Sequence, residues 1–189
     1  MKTILLTGGI GSGKSAVASM LESRGIPVYD SDSAAKRLYT PGLLSLLERR
    51  YGGSFSLGDG SPDFKAIASL VFSDPSALQF VESWLYPLLK ADFMAWRDSR
   101  QGTMVVFESA VALSKPLFDD LWDQVVVVEA PLETRIQRIM RRDSCTRGEA
   151  LARIEAQSVP ERFDSLIENE GSMELLERAV DAVFFRENC

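Results

Sequence analysis

Residues 8–15 read GGIGSGKS, between the apolar run ILL at 4–6 and a helical stretch with Val17, Met20 and Leu21 on one face. The octet fits G-x-x-x-x-G-K-[ST], with Gly8, Gly13, Lys14 and Ser15 at the defining positions. Its glycines allow a tight curl that turns successive backbone N–H groups toward one anion, and the following helix adds its positive dipole end. Such a loop needs a strand before it and a helix after it, so residues 3–23 are committed to a strand–loop–helix unit. In that setting Lys14 reaches the β- and γ-phosphates of a nucleoside triphosphate and Ser15 ligates Mg2+. The loop alone does not choose among kinase, GTPase, motor and transporter.

The rest of the chain alternates strands with helices. Periodicity predicts strands at Thr3–Thr7, at PVYD ending on Asp30, at Thr103–Phe107 and Gln124–Val128, and a short one at Leu166–Ile167. Helices are expected at Lys14–Ser23, from SDSAAKRLY, at Leu43–Tyr51 after a break at Pro41-Gly42, at Lys65–Phe72, at Pro75–Ser99 with a bend at Pro87, at Pro131–Arg142 and at Ser172–Val180. AVFF at 182–185 reads as a closing strand or packed tail. Short strands that are continuous apolar runs indicate a parallel sheet covered on both faces. The expected architecture is α/β, a doubly wound parallel sheet of five strands. A helical lobe at 43–100 interrupts a core of 1–42 and 101–189, and a flap lies at 143–160, all within one chain of 189 residues.

Composition narrows the function. Asp and Glu outnumber Lys and Arg by 27 to 21, which weighs against nucleic acid as a partner, so an anionic ligand must be drawn by local charge. Histidine is absent, which removes histidine metal sites and histidine-based triads and leaves acid–base work to Asp, Glu, Lys, Tyr or Cys. Cys145 and Cys189 belong to no ligand cluster, no stretch is apolar enough to span a membrane, and the run after Lys2 is too short for a signal sequence, so a reducing cytoplasmic setting is expected.

Neither a DxxG switch nor an NKxD motif occurs, which disfavours a GTPase, and the chain is small for a motor or transporter ATPase. A small-molecule kinase fits best. It needs a group that activates or orients the acceptor hydroxyl. Asp30 and Asp32 end the second strand at the sheet edge where the phosphate loop also lies. If the strand persists, their i, i+2 spacing puts both on one side. Asp32 is the preferred base, with Asp30 helping to hold Mg2+ or substrate; helix capping is the other reading of each. Glu108 ends the third strand and either orients substrate or water or caps a turn. Arg135, Arg138 and Arg142 form a helical stripe opposite Leu132, Ile136, Ile139 and Met140; Arg135 and Arg138 read equally as a solvated face. Arg141, Arg142 and Arg147 flank the flap and are the better candidates to meet transition-state charge.

Several segments, in order, resemble the dephospho-coenzyme A kinase family across nearly the whole chain. TGGIGSGKS at 7–15 is similar to its phosphate loop, GIPVYDSDSAAKRL at 25–38 to its segment with a D-x-D pattern, and WLYPLL at 84–89 to its L-x-H-P-x-I segment. RIMRRDSCTRGEALARIEAQ at 138–157 resembles its lid and LIENEGS at 166–172 its late asparagine motif. The resemblance implies a P-loop kinase fold with a helical CoA-side lobe and a lid. It implies ATP with Mg2+, dephospho-CoA as the acceptor and phosphorylation of the ribose 3′-hydroxyl. By position, Gly11, Ser12, Gly13, Lys14, Ser15 and Ala16 cradle ATP, Asp32 activates the hydroxyl, and Arg142 and Asn169 lie near adenine or phosphates. Tyr86 stands where the family has histidine; it retains a hydrogen-bonding hydroxyl without an imidazole's cation, which suits a positioning role toward substrate. Ala16 replaces a common threonine and removes one polar group from the loop. The expected assembly is a monomer or weak homo-oligomer without membrane or nucleic-acid partners. The alternatives are a kinase of the nucleoside monophosphate, shikimate or gluconate type, disfavoured by DSD and YPLL, and a silent nucleotide-binding regulator, disfavoured by the presence of Lys14 and Asp32.

Overall fold

A computed structural model of the chain describes residues 1–157 and 162–185. The elements run β1 (Lys2–Thr7), α1 (Lys14–Ser23), β2 (Val28–Asp30), α2 (Ser31–Arg37), α3 (Pro41–Tyr51), α4 (Phe64–Ser73), α5 (Pro75–Asp98), β3 (Met104–Glu108), β4 (Gln124–Glu129), α6 (Leu132–Asp143), α7 (Arg147–Glu155), β5 (Ser165–Glu168) and α8 (Met173–Phe184). They fall into two units: Met1–Asp30 with Arg100–Cys189, and Ser31–Ser99.

The first unit is built on a sheet of order β2-β3-β1-β4-β5 in which every pairing is parallel. Its strands are apolar throughout because both faces are covered. On one face Ile4, Leu6, Val106, Val126, Val128 and Ile167 pack against Val17 and Leu21 of α1 and Leu176 and Val180 of α8. Alternation sends Phe107 to the other face, where it stacks on Tyr29 at 5.6 Å and meets Phe118 at 6.1 Å between ring centroids. The register aligns the strands' carboxyl ends, pairing Asp30 with Glu108 and Glu129 with Glu168. The phosphate loop leaves β1 at this same edge, between β3 and β4, where the chain's direction of winding reverses.

In the second unit Leu43, Leu44 and Leu47 of α3 form a core with Phe55, Ile67, Val81 and Leu85. α5 buries every fourth residue from Ala77 through Val81, Leu85 and Leu89 to Phe93. It continues through Pro87, which is exposed.

Four expectations are corrected or narrowed by the structure. The break between α2 and α3 falls at residues 38–40 and not at Pro41-Gly42: Pro41 is the first residue of α3, with the Thr40 side chain accepting from the Leu43 amide, and proline lacks only an N–H that a first turn leaves outside the helical ladder. Of the two readings of AVFF the packed tail holds and the closing strand does not: residues 182–184 extend α8, with Val183 and Phe184 packed against the sheet-face core. Leu132 is 52% exposed, since α6 starts with this residue before the helix reaches its apolar neighbours. β2 stops at Asp30 and Asp32 lies in the first turn of α2, so the two carboxylates do not share a strand face.

Candidate active site

The phosphate loop, residues 8–13, is shaped by close backbone approach. Gly8 has φ 146°, and a Cβ there would lie 2.2 Å from the Val128 carbonyl oxygen of β4. Gly13 caps α1 with φ 103°, and a Cβ there would lie 2.1 Å from Asn169 Nδ2. Neither position accepts a side chain without displacing its neighbour. Lys14 Nζ donates to the Gly8 carbonyl at 2.9 Å, which folds the lysine back over the loop. Ser15 is exposed in the first turn of α1, while Ala16 packs its methyl group against the sheet-face core.

The outer side of the loop is held by residues from far along the chain. Arg135 Nε donates to the Ile10 carbonyl at 2.9 Å. Arg138 Nη1 donates to the Gly11 and Ser12 carbonyls at 3.2 and 3.1 Å, and its Nη2 donates to Asn169 Oδ1 at 3.2 Å. Asn169 Nδ2 donates to the Ser12 carbonyl at 2.8 Å, and its amide donates to the Glu129 carbonyl at 2.7 Å. Carbonyls 10–12 are therefore bound by cations and an amide on the outside. That arrangement leaves the concave side of the curl to N–H dipoles, as an anion requires. Burial pulls the Arg135 guanidinium below the ordinary arginine range, with Glu129 acting against that shift. Ser12 Oγ is buried and has no hydrogen-bond partner among the described residues.

Beyond the loop, α6 and α7 form a hairpin whose apolar seam is Ile136, Ile139, Ala150 and Ile154, with Ile10 packed against it. Thr146 and Glu149 make a capping box that starts α7. Arg147 grips Glu133 through two bonds of 2.7 and 2.9 Å. Arg142 makes two bonds to its neighbour Asp143, at 2.7 and 2.9 Å, and Arg153 reaches the same carboxylate at 2.6 Å. Those cations hold the Asp143 carboxyl below the usual carboxylate range. Thr134, Gln137, Arg138, Arg141 and Arg142 line a cleft of about 340 Å3 beside α6.

In the second unit Tyr86, half-buried, donates its hydroxyl to Glu82 Oε1 at 3.0 Å. Burial raises the Tyr86 pKa strongly, and the nearby Glu82, Tyr39 and Asp32 raise it further. Tyr86 and Asp32 therefore sit within electrostatic reach of each other. Asp32 is exposed. In the first unit Asp30 is exposed and Glu108 half-buried at the sheet edge.

Among the residues expected from the sequence, Gly11 to Ala16 and Asn169 are brought together. Arg142 is placed on the hairpin and paired with Asp143. The sequence leaves Arg135 and Arg138 open to a solvated face; they are instead half-buried against the loop. Their helical stripe was visible in the sequence, but its target was not. Gln157, two residues beyond α7, also contacts the loop; it closes the lid-like segment at 138–157, but that resemblance does not say what it touches. Among the described residues no group of three or more His, Cys, Asp or Glu side chains could hold a metal ion. Mg2+ characteristically takes few protein ligands alongside phosphate and water, and the exposed Ser15 hydroxyl fits that chemistry. No helix among the described residues is long and apolar enough to cross a membrane.

The chain is similar to known proteins over nearly its whole length. A family model described as CoaE, dephospho-CoA kinase, matches residues 2–174. A dephospho-CoA kinase of Anaeromyxobacter dehalogenans is 38% identical over 192 residues, covering 96% of this chain and 90% of the relative. One of Burkholderia lata is 35% identical over 193 residues, covering 98% and 96%. The crystal structure of TT1252 from Thermus thermophilus superposes with a TM-score of 0.83 at 37% identity, covering 96% of this chain and 95% of that one. With its phosphate loop, parallel sheet and α6–α7 hairpin all within the matched span, the chain belongs to the dephospho-CoA kinase family.

Proposed function

We propose that the protein transfers the γ-phosphoryl group of ATP to the ribose 3′-hydroxyl of dephospho-CoA, giving CoA and ADP in the last step of CoA synthesis. The observation behind this reading is the glycine loop, whose outer carbonyls are held by Arg135, Arg138 and Asn169 in a chain whose family match spans residues 2–174. A bond forms between the 3′ oxygen and the γ-phosphorus, the bond from that phosphorus to the β,γ-bridging oxygen breaks, and the hydroxyl proton passes to the Asp32 carboxylate.

Gly11 to Ala16 would hold the triphosphate through the loop and the first turn of α1, where leading N–H groups lie outside the helical ladder. The buried Ser12 hydroxyl is a donor that a phosphate oxygen can satisfy. Lys14 is assigned to the transferring phosphate and Ser15 to Mg2+; the ion supplies charge neutralisation on the phosphate oxygens. Asp32 is the base. Asp30, Tyr86 and Glu108 are assigned to the acceptor, Arg142 to the phosphates during closure, and Asn169 to the nucleotide end of the loop. The helical lobe serves the CoA side, and residues 143–160 serve as the lid, of which 158–160 lie outside the described residues. The enzyme would act in the cytoplasm as a monomer or weak homo-oligomer.

A coupled ADP-release assay with dephospho-CoA, AMP, shikimate and gluconate in parallel tests the reading. Turnover is expected with dephospho-CoA under Mg-ATP. Clear turnover of another acceptor and none of dephospho-CoA would sink it.

A further inference from the structure

Ile10 is gripped by the α6–α7 hairpin at three points. Its side chain packs against the seam of Ile136, Ile139, Ala150 and Ile154. Its carbonyl accepts from Arg135 Nε at 2.9 Å. Its amide donates to Gln157 Oε1 at 2.6 Å, across 147 positions of chain. The third contact differs in kind from the others. A phosphate loop works through its N–H groups, and here one loop N–H is committed to a side chain two residues beyond α7. The N–H donor also dictates which end of the Gln157 carboxamide faces the loop.

We infer that Gln157 is a positioning residue, a carboxamide latch that ties the end of α7 to the phosphate loop through the Ile10 amide. The inference rests on the reading of residues 8–15 as the nucleotide site. The loop's useful shape has Ile10 turned outward, so that the amides after it face the anion. Arg135 holds the carbonyl of Ile10 but cannot stop the peptide on its amino side from rotating. Gln157 blocks that rotation, because leaving the partly buried amide without an acceptor costs free energy. The hairpin and the loop thereby move as one body, and displacement of α7 is felt as a change in nucleotide affinity. The three contacts of Ile10 are with α6, α7 and Gln157, and not with the residues assigned to the acceptor.

Two substitutions separate positioning from mere packing. Gln157→Met keeps the length and removes the acceptor; Gln157→Glu keeps an acceptor. In Gln157→Met, amide exchange at Ile10, followed by NMR, should accelerate about tenfold or more. The ADP dissociation constant from calorimetry and the KM for ATP should both rise about 3- to 10-fold, the value of one hydrogen bond. The KM for dephospho-CoA should stay within about twofold, and the Tm should fall by no more than about 4 °C, the shift one hydrogen bond allows in a chain of this size. Gln157→Glu should restore Ile10 protection. Unchanged Ile10 exchange in Gln157→Met overturns the latch, as does unchanged ADP affinity. Parallel loss of both KM values and Tm also overturns it, because that marks general destabilisation. If the wild-type protein bound no ADP, the nucleotide reading would fail separately, and Ile10 exchange would still decide whether the latch exists.

Discussion

Asn169 Nδ2 donates to the carbonyl of Ser12 at 2.8 Å, and the two residues are 157 positions apart in the chain. The bond joins the turn after β5 to the phosphate loop after β1, although β4 lies between those strands in the sheet. Arg138 bridges the same pair, binding the Ser12 carbonyl and Asn169 Oδ1. The loop's curvature is thus imposed from outside by a buried amide and a guanidinium.

Removing that support should weaken nucleotide binding without changing the phosphate-facing groups. Asn169→Ala and Arg138→Ala should each raise the ADP dissociation constant by about 5- to 100-fold, the scale of lost or charge-assisted hydrogen bonds. Arg138→Lys should recover little, since an ammonium cannot span two carbonyls and Oδ1 as a planar fork does. Calorimetric titration with ADP checks both. An Arg138→Lys affinity equal to wild type would show that the guanidinium fork is not what holds the loop.

Gly8→Ala is a test of the backbone. The added methyl group would meet the Val128 carbonyl at 2.2 Å, and φ of 146° disfavours any side chain. Strain and overpacking together predict a loss of roughly 2 kcal/mol or more, read by urea denaturation. Gly25→Ala is the control: it has φ 81° but no atom within 4 Å of the added carbon, so it should lose only the conformational part.

Lys14→Ala and Asp32→Asn should separate binding from chemistry. The lysine variant should lose nucleotide affinity and turnover together. The aspartate variant should bind ADP normally and lose kcat by about 10^2- to 10^4-fold, the range of general-base effects. Near-normal turnover in Asp32→Asn would take the base assignment away from Asp32.

Tyr86 should resist ionisation. Burial first, then Glu82, lifts its pKa far above the ordinary phenol. The folded pKa exceeds the unfolded one. Its stabilising contribution is therefore complete below pH of about 10 and is lost as pH rises toward the folded value. Burial raises Tyr39 as well, so ultraviolet difference titration should show late tyrosinate ionisation whose last step Tyr86→Phe removes. Persistence of that step in the variant would assign it elsewhere.

The α6–α7 junction should be sensitive to acid. The Arg142 hydrogen bond, ahead of charge from Arg142 and Arg153, holds the Asp143 carboxyl below its ordinary value. For a depressed carboxylate the contribution is present above the unfolded pKa, about 3.9, and is lost as pH falls through the folded one. Carboxyl 13C titration should place Asp143 below that reference, and Arg142→Ala should move it back up. An unmoved midpoint in the variant would show that Arg142 is not the cause.

The loop octet, the apolar strands and the spacing of the helices determined, by themselves, a parallel α/β fold with a phosphate loop, while the family likeness rested on the ordered segments at 25–38, 84–89, 138–157 and 166–172. These are local properties: periodicity reports which face of an element is apolar, and a glycine loop reports its own curvature. Periodicity does not report what stands opposite a polar face. Arg135, Arg138 and Arg142 share one stripe at i, i+3 and i+7, yet Arg135 reaches Ile10 across 125 positions while Arg142 pairs with the adjacent Asp143. Only the tertiary structure decided between those outcomes, because sheet order and the docking of α6 and α7 bring the loop to the first two arginines and to Gln157. The same reason applies to Asp32: its distance in sequence from Asp30 was legible, but where β2 yields to α2 depended on which backbone groups found partners on β3.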